Sequence, residues 1–314
     1  MYEKIRKKVR NRDAIVVTGI GEYSLKDTVE CGQAFAFEAV TVADGYVEYI
    51  VPIGEGLFTV GQEKRGELIF FDTSDEDFRD VIVPYFALGV DFSAIADRVA
   101  SGYAQEWFIA AVNNARGIAI LKQEPWETLF SFIVSQNNNI PRIKKILRRF
   151  RLEYGKNLAE ARGLSGCPLG KHGGKPCGEA CGDCGVCYSF PRPKDVKAEP
   201  ERMLSANPGF RYRYLVDAAT RVADGVTDLC AIEAMHSYER SLEELKKIVG
   251  VGDKVASCVA LFGLGNLDAF PVDVWMKRAI DTYFDGALDP AVFGEYAGVA
   301  QQYIFHYIRN VENK

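Results

Sequence analysis

No stretch of the 314 residues is long and apolar enough to span a membrane, and the N-terminus lacks the charge-then-apolar pattern of a secretory leader. No membrane association is expected, and a cytoplasmic location is. Positive charge is not in excess either: 38 Lys and Arg against 43 Asp and Glu leave a net charge of −5. That excludes a generally polycationic chain but not a local basic face that meets nucleic acid. Cysteine is sparse outside one segment. Cys31, Cys230 and Cys258 stand alone, while Cys167, Cys177, Cys181, Cys184 and Cys187 crowd together. A disulfide framework is not expected in an intracellular chain of this size. The remainder, 48% hydrophobic and 26% charged, is ordinary globular composition, long enough for two or three subdomains.

Residues 1–115 read as a strand-rich unit. β-branched or alternating runs at 14–20, 33–40, 46–51, 57–61 and 67–72, separated by Gly-containing turns, predict an antiparallel sheet. Helical patterns follow at 74–88 and 92–100, and from Pro125 the chain becomes mostly helical. The expected fold class is α+β: an N-terminal antiparallel sheet domain over 1–115, then a helical domain over 116–314 with a Cys-rich insertion at about 163–193.

The stretch 245–280, LKKIVGVGDKVASCVALFGLGNLDAFPVDVWMKRAI, organises the chain. It predicts a helix, a Gly-Val-Gly turn, a second helix and, after a loop, a third helix beginning beyond Pro271. Leu242, Leu245, Ile248 and Val249 fall at helical spacing and predict one apolar stripe on the first helix. Gly250 and Gly252 then break it, since glycine accepts backbone angles and close approaches that a side chain forbids. Free backbone N–H groups where the second helix opens suit a phosphate oxygen. The pattern is a helix-hairpin-helix, which grips a nucleic-acid backbone without reading its sequence. Lys254 lies in the first turn of the second helix and Cys258 four residues on, so both project from one face. Asp273, after Pro271-Val272 and before a helical run, falls at the N-cap of the third helix. A lysine and a capping carboxylate around one hairpin suggest amine nucleophile chemistry on a sugar carbon.

On these residues the chain resembles the helix-hairpin-helix/Gly-Pro-Asp DNA glycosylase superfamily, specifically its 8-oxoguanine DNA glycosylase/abasic-site lyase branch. Four further stretches agree: Gly32-Gln33-Ala34-Phe35, Gln136-Asn137-Asn138-Asn139-Ile140-Pro141-Arg142, Gly209-Phe210-Arg211-Tyr212-Arg213-Tyr214, and Gln301 with Phe305 on a C-terminal helix. The resemblance implies that Lys254 attacks C1′ as a free amine while Asp273 stabilises charge on the sugar and shuttles protons. It implies a base pocket of Gly32, Cys258, Gln301 and Phe305, with the Gly32 carbonyl accepting from N7–H, the proton that guanine lacks. Asn137 would fill the space of the flipped base, Arg142 and Arg211 would read the orphaned cytosine, and Phe210 would wedge the opposite strand. A guanidinium fork suits the N3 and O2 acceptors of cytosine. In isolation Gly32 reads as a turn glycine, Phe210 as a core aromatic and 142–151 as a solvated basic helix with Ile143, Ile146, Leu147 and Phe150 beneath. Phosphate anchoring falls to Gly250 and Gly252. It falls also to Trp275, which stands where the best-known eukaryotic members carry a histidine, so the anchor there is weaker or different.

The Cys-rich segment is a departure from that branch. Its pattern C-x9-C-x3-C-x2-C-x2-C offers Cys177, Cys181, Cys184 and Cys187 as a tetrahedral zinc set. An iron–sulfur cluster and a free-thiol loop stay open beside it; in endonuclease III-type relatives the cluster follows the catalytic Asp, and no cysteine follows Cys258 here. No cofactor is expected for catalysis. The expected partner is duplex DNA carrying 8-oxoguanine opposite cytosine, met by a monomer. The competing readings are an endonuclease III-like enzyme acting on oxidised pyrimidines and a silent hairpin module that only binds DNA.

Overall fold

The computed structural model describes residues 2–43, 45–161, 171–172, 175–176 and 185–310. Six strands form one antiparallel sheet: β1 (Glu3–Val9), β2 (Arg12–Thr18), β3 (Glu38–Ala43), β4 (Tyr46–Ile53), β5 (Gly56–Gln62) and β6 (Leu68–Phe71), in the order β1-β2-β6-β5-β4-β3. The period of two is visible in its centre. Ile15, Val17, Leu68 and Phe70 enter the main core, while Ala14, Val16, Ile69 and Phe71 form a smaller cluster on the other face. Strand β1, EKIRKKV, was not expected, because no apolar alternation marks it. It is an edge strand, almost wholly exposed, whose Lys and Arg discourage further pairing. The expected alternation at 33–40 yields strand only from Glu38; residues 33–37 form a loop instead.

The helices of eight or more residues among those described are α1 (Phe92–Gly102), α2 (Glu106–Ala115), α3 (Pro125–Ser135), α4 (Ile140–Tyr154), α5 (Tyr212–Ala223), α6 (Tyr238–Leu245), α7 (Asp253–Phe262), α8 (Val274–Tyr283) and α9 (Ala297–Asn310). The expected helix at 74–88 runs unbroken over 75–85 as two short α-helical turns flanking a π-helical turn over Phe78–Ile82. Helix α2 had no counterpart in the sequence reading. Its Phe108, Ala111, Val112 and Ala115 bury a stripe against the rest of the core.

Helices α3 and α7 form the centre, each buried nearly all round. Proline opens α3 at its first position, and Phe132 stacks on Phe262 of α7 at 5.5 Å. The last residue of α3, Ser135, meets the first turn of α7 through Lys254. One apolar core runs from the sheet through all of these helices. At the seam, the side chain of buried Gln33 donates to the Thr28 and Ala119 carbonyls (2.9 and 2.8 Å) and accepts from Leu121 N–H (2.8 Å). Its own carbonyl accepts from Gln123 Nε2 at 2.7 Å. The loop at 31–35 is thus fastened to the irregular segment before α3. No helix among the described residues is long and apolar enough to cross a membrane.

Candidate active site

A cavity of about 330 Å³ opens where the 31–35 loop, the end of α3, the start of α7, the cap of α8 and helix α9 converge. Seven of the sequence-derived residues line it: Gly32, Lys254, Cys258, Asp273, Trp275, Gln301 and Phe305. They come from four separate parts of the chain.

Lys254 follows the hairpin by the mechanism expected. Gly252 is the N-cap of α7, with no side chain closing that helix end. A Cβ on Gly252 would meet nothing within 4 Å, so its surroundings are open to an incoming oxygen. Gly250 differs: its φ is +82°, and a Cβ there would lie 2.3 Å from the Tyr214 ring. Lys254 Nζ donates to Ser135 Oγ at 3.0 Å and sits 4.9 Å from the centre of the Phe132 ring. The Ser135 hydroxyl in turn donates to the Phe132 carbonyl at 2.7 Å, which turns its lone pairs toward the amine. Serine at a helix end gave no signal of this role.

Asp273 is the N-cap of α8: its Oδ1 accepts from the N–H groups of Trp275 (3.0 Å) and Met276 (2.9 Å). Those two bonds fix the carboxylate at the cavity wall. Burial pushes the Cys258 thiol up to about 11; Lys254 pulls against that shift, and the Asp273 charge adds to it. The thiol is therefore neutral at physiological pH, a filler of the wall rather than a nucleophile. Cys31, which also lines the cavity, is pushed by burial to about 11 as well.

Gly32 has φ +92°, a value that a side chain resists. Its missing Cβ would stand 3.6 Å from Ile140 and 3.8 Å from Phe305, ordinary contact, so the backbone angle and not crowding calls for glycine. Phe35, Phe132, Phe262 and Phe305 give the cavity aromatic walls, and Arg309 reaches its edge, 5.8 Å from the Phe305 ring centre.

The expected DNA readers lie outside the cavity lining, around the α3–α4 turn. Asn137 takes φ +47°, which asparagine tolerates better than most residues, and Asn139 caps α4 by accepting from Arg142 N–H at 3.0 Å. Arg142 is exposed. Phe210 is exposed at 51%, against the core-aromatic reading, and packs edge-on to Tyr214. Arg211 is buried and largely spent. Nε donates to the Gln136 carbonyl (2.7 Å), Nη2 to the carbonyls of Gln136 and Asn137 (the latter 3.0 Å), and Nη1 to that of Pro208 (3.2 Å). One N–H of Nη1 is left over, so Arg211 clamps the Asn137 turn and offers a single donor outward.

Two faces differ from the sequence pattern. Arg151 does not belong to a basic face: it is buried, paired with Glu127, and donates to the Tyr188 carbonyl at 3.1 Å. Lys144 and Arg148 also turn inward, to the Phe37 carbonyl (2.7 Å) and to Glu38. The exposed cations of α4 are Arg142, Lys145 and Arg149. Val249 is 50% exposed in the hairpin and not part of the buried stripe. Trp275 lies in the cavity wall, whereas Gly250 and Gly252 are not among the lining residues. Of the four cysteines expected as a zinc set, Cys177, Cys181 and Cys184 lie outside the described residues, and Cys187 is buried with Ile50, Leu57, Leu158, Ala159 and Val186.

The chain is similar to proteins of one family. The N-terminal domain of 8-oxoguanine DNA glycosylases matches residues 15–129. An N-glycosylase/DNA lyase of Saccharomyces cerevisiae is 27% identical over 281 residues, covering 82% of this chain and 67% of its own. The solved structure of MBOgg1 in complex with a low-affinity DNA ligand is 32% identical, covers 99% of both chains and superposes with a TM-score of 0.80. The Clostridium acetobutylicum 8-oxoguanine glycosylase/lyase, in complex with duplex DNA containing cytosine opposite 8-oxoguanine, is 30% identical over 99% of this chain and 98% of that one, with a TM-score of 0.79. With similarity of this extent over its whole length, the chain belongs to the 8-oxoguanine DNA glycosylase/lyase family.

Proposed function

We propose that this chain draws 8-oxoguanine paired with cytosine out of duplex DNA, releases the base through attack by Lys254, and cleaves the strand by β-elimination. The observation that carries this reading is the meeting of Lys254, Cys258 and Asp273 on one cavity of about 330 Å³ with aromatic walls. That volume falls at the lower end of small-molecule pockets, about 300–1,000 Å³, as suits a single base.

Inside a duplex C1′ is beyond the reach of any side chain, so the nucleotide must be extruded. The open end of α7 at Gly252 suits the phosphate, while Asn137 and Phe210 would fill and distort the vacated stack. The unprotonated Lys254 amine forms a bond to C1′ as the glycosidic C–N bond breaks, and the departing base takes the electron pair and a proton. Asp273 stabilises the positive charge that develops on the sugar. Loss of the ring oxygen from C1′ leaves an imine on Lys254; removal of a C2′ proton then expels the 3′ phosphate. Arg142 and the remaining Arg211 donor favour cytosine opposite. One chain supplies every residue named, and a monomer is the working unit proposed.

The test is release of base and nicking of duplexes carrying 8-oxoguanine opposite each of the four bases. Fastest turnover opposite cytosine, lost in Lys254→Gln, supports the reading. Equal rates opposite all four bases would remove the cytosine assignment, and activity confined to oxidised pyrimidines would overturn the substrate.

A further inference from the structure

Helix α3 tightens at its last turn. The N–H of Gln136, which would meet the Phe132 carbonyl in a continuing α-helix, donates instead to the Ile133 carbonyl at 3.3 Å. The Phe132 carbonyl is left to the Ser135 hydroxyl, which donates to it at 2.7 Å. A hydroxyl carries one proton, so that of Ser135 is spent and its oxygen can only accept. It accepts an N–H of Lys254, at 3.0 Å, on the cavity that both residues line.

That contact touches the nitrogen that reacts. A neutral amine is a weak donor. As Nζ bonds to C1′ and the breaking C–N bond gives its electron pair to the base, Nζ becomes positive and its N–H a stronger donor. Hydrogen bonds with an ionised partner are about twice as strong as neutral ones. The Ser135 bond therefore tightens on the way to the transition state, the condition under which an interaction raises the rate and not only the affinity. The carbonyl end of α3 acts in the same direction, since the last turn of a helix favours positive charge. Resting on the proposed function, we infer that Ser135 is a third catalytic residue beside Lys254 and Asp273. It holds one N–H of the amine and leaves the lone pair free, having no proton to offer it. Nor does it act as a base: the proton that departs with 8-oxoguanine is the nitrogen's other one. The N–H that the protonated imine retains is then the one Ser135 holds.

The test measures two reactions at saturating enzyme: release of 8-oxoguanine opposite cytosine, and borohydride trapping on a duplex with a preformed abasic site. Ser135→Ala is expected to slow both by about tenfold or more, the size of a charge-assisted hydrogen bond, with duplex affinity unchanged. Ser135→Thr keeps the hydroxyl and should restore most of the rate. Ser135→Cys, close in size but a weak acceptor, should be as slow as alanine and serves if the alanine variant folds poorly. Wild-type rates in the alanine and cysteine variants, a threonine variant no faster than alanine, or a loss confined to duplex affinity overturns the inference. The abasic duplex holds no base. A wild type that traps it but releases no 8-oxoguanine therefore overturns the proposed substrate, while the trapping rates still decide the role of Ser135.

Discussion

Asp273 holds the first turn of α8 through its Oδ1 and lies on the cavity that contains Lys254, so substitutions there separate a structural role from a chemical one. Asparagine caps helices as well as aspartate does, so Asp273→Asn should melt within about 1 °C of wild type. Its excision rate should still fall by about 100-fold or more, because the charge is gone. Asp273→Ala should lose activity and also about 1 kcal/mol of stability with the cap. Melting curves and single-turnover rates on the same preparations distinguish these outcomes; equal destabilisation by both variants would show that the charge, and not the cap, holds α8. The two cavity thiols make a different prediction. Cys31 and Cys258 are raised by burial from 9.0 to about 11, so the native protein keeps protons that the unfolded chain loses. Their contribution is fully present below pH 9 and is lost as pH rises toward 11. Melting temperature should therefore decline over that window, less steeply in Cys31→Ala/Cys258→Ala. At neutral pH a thiol reagent should label exposed Cys230 and spare both.

At the scale of elements, the hairpin glycines have opposite requirements. Gly250→Ala forces a methyl into the Tyr214 ring at a positive φ, and is expected to destabilise the fold by more than about 1 kcal/mol. Gly252→Ala meets no atom and has a permitted φ of −101°, so its stability should change by less than about 1 kcal/mol. It should nevertheless weaken duplex binding, since the new methyl stands where a phosphate would approach the α7 amides. Duplex affinity equal to wild type in that variant would remove the hairpin from phosphate anchoring. The elements that carry strong punctuation were legible in the sequence: Pro125 opening α3, Asn139 and Pro141 opening α4, and Asp273 capping α8. Strand β1 was not, because an exposed edge strand needs no apolar alternation. Nor were the inward turns of Lys144, Arg148 and Arg151, since a cation buried against a carbonyl or carboxylate is written in the sequence like a solvated one.

For the molecule as a whole, the sheet unit and the helical unit share one core and one cavity, and neither half contains the site alone. Cys31, Gly32 and Phe35 come from the first, Lys254 and Asp273 from the second. The resemblance implied one pocket for Gly32, Cys258, Gln301 and Phe305; the seam that joins the two units was invisible, because Gln33 acts through backbone groups of Thr28, Ala119 and Leu121 that no side-chain pattern marks. Gln33→Leu removes three side-chain bonds from a buried position and should cost about 3 kcal/mol or more. In whatever fraction stays folded, excision should slow as Gly32 loses its placement, with duplex affinity less affected. Unchanged excision in a destabilised variant would detach the seam from catalysis.

The proposed reaction needs an amine at Lys254 that reaches C1′ of a nucleotide whose base lies in this cavity. Borohydride reduction during reaction with a duplex carrying 8-oxoguanine opposite cytosine tests it directly. Wild type should be trapped as a covalent protein–DNA complex with the linkage mapped to Lys254, and Lys254→Gln should give none. Base release retained in both proteins without any trapped complex would contradict the account and leave Lys254 with an electrostatic or structural role only.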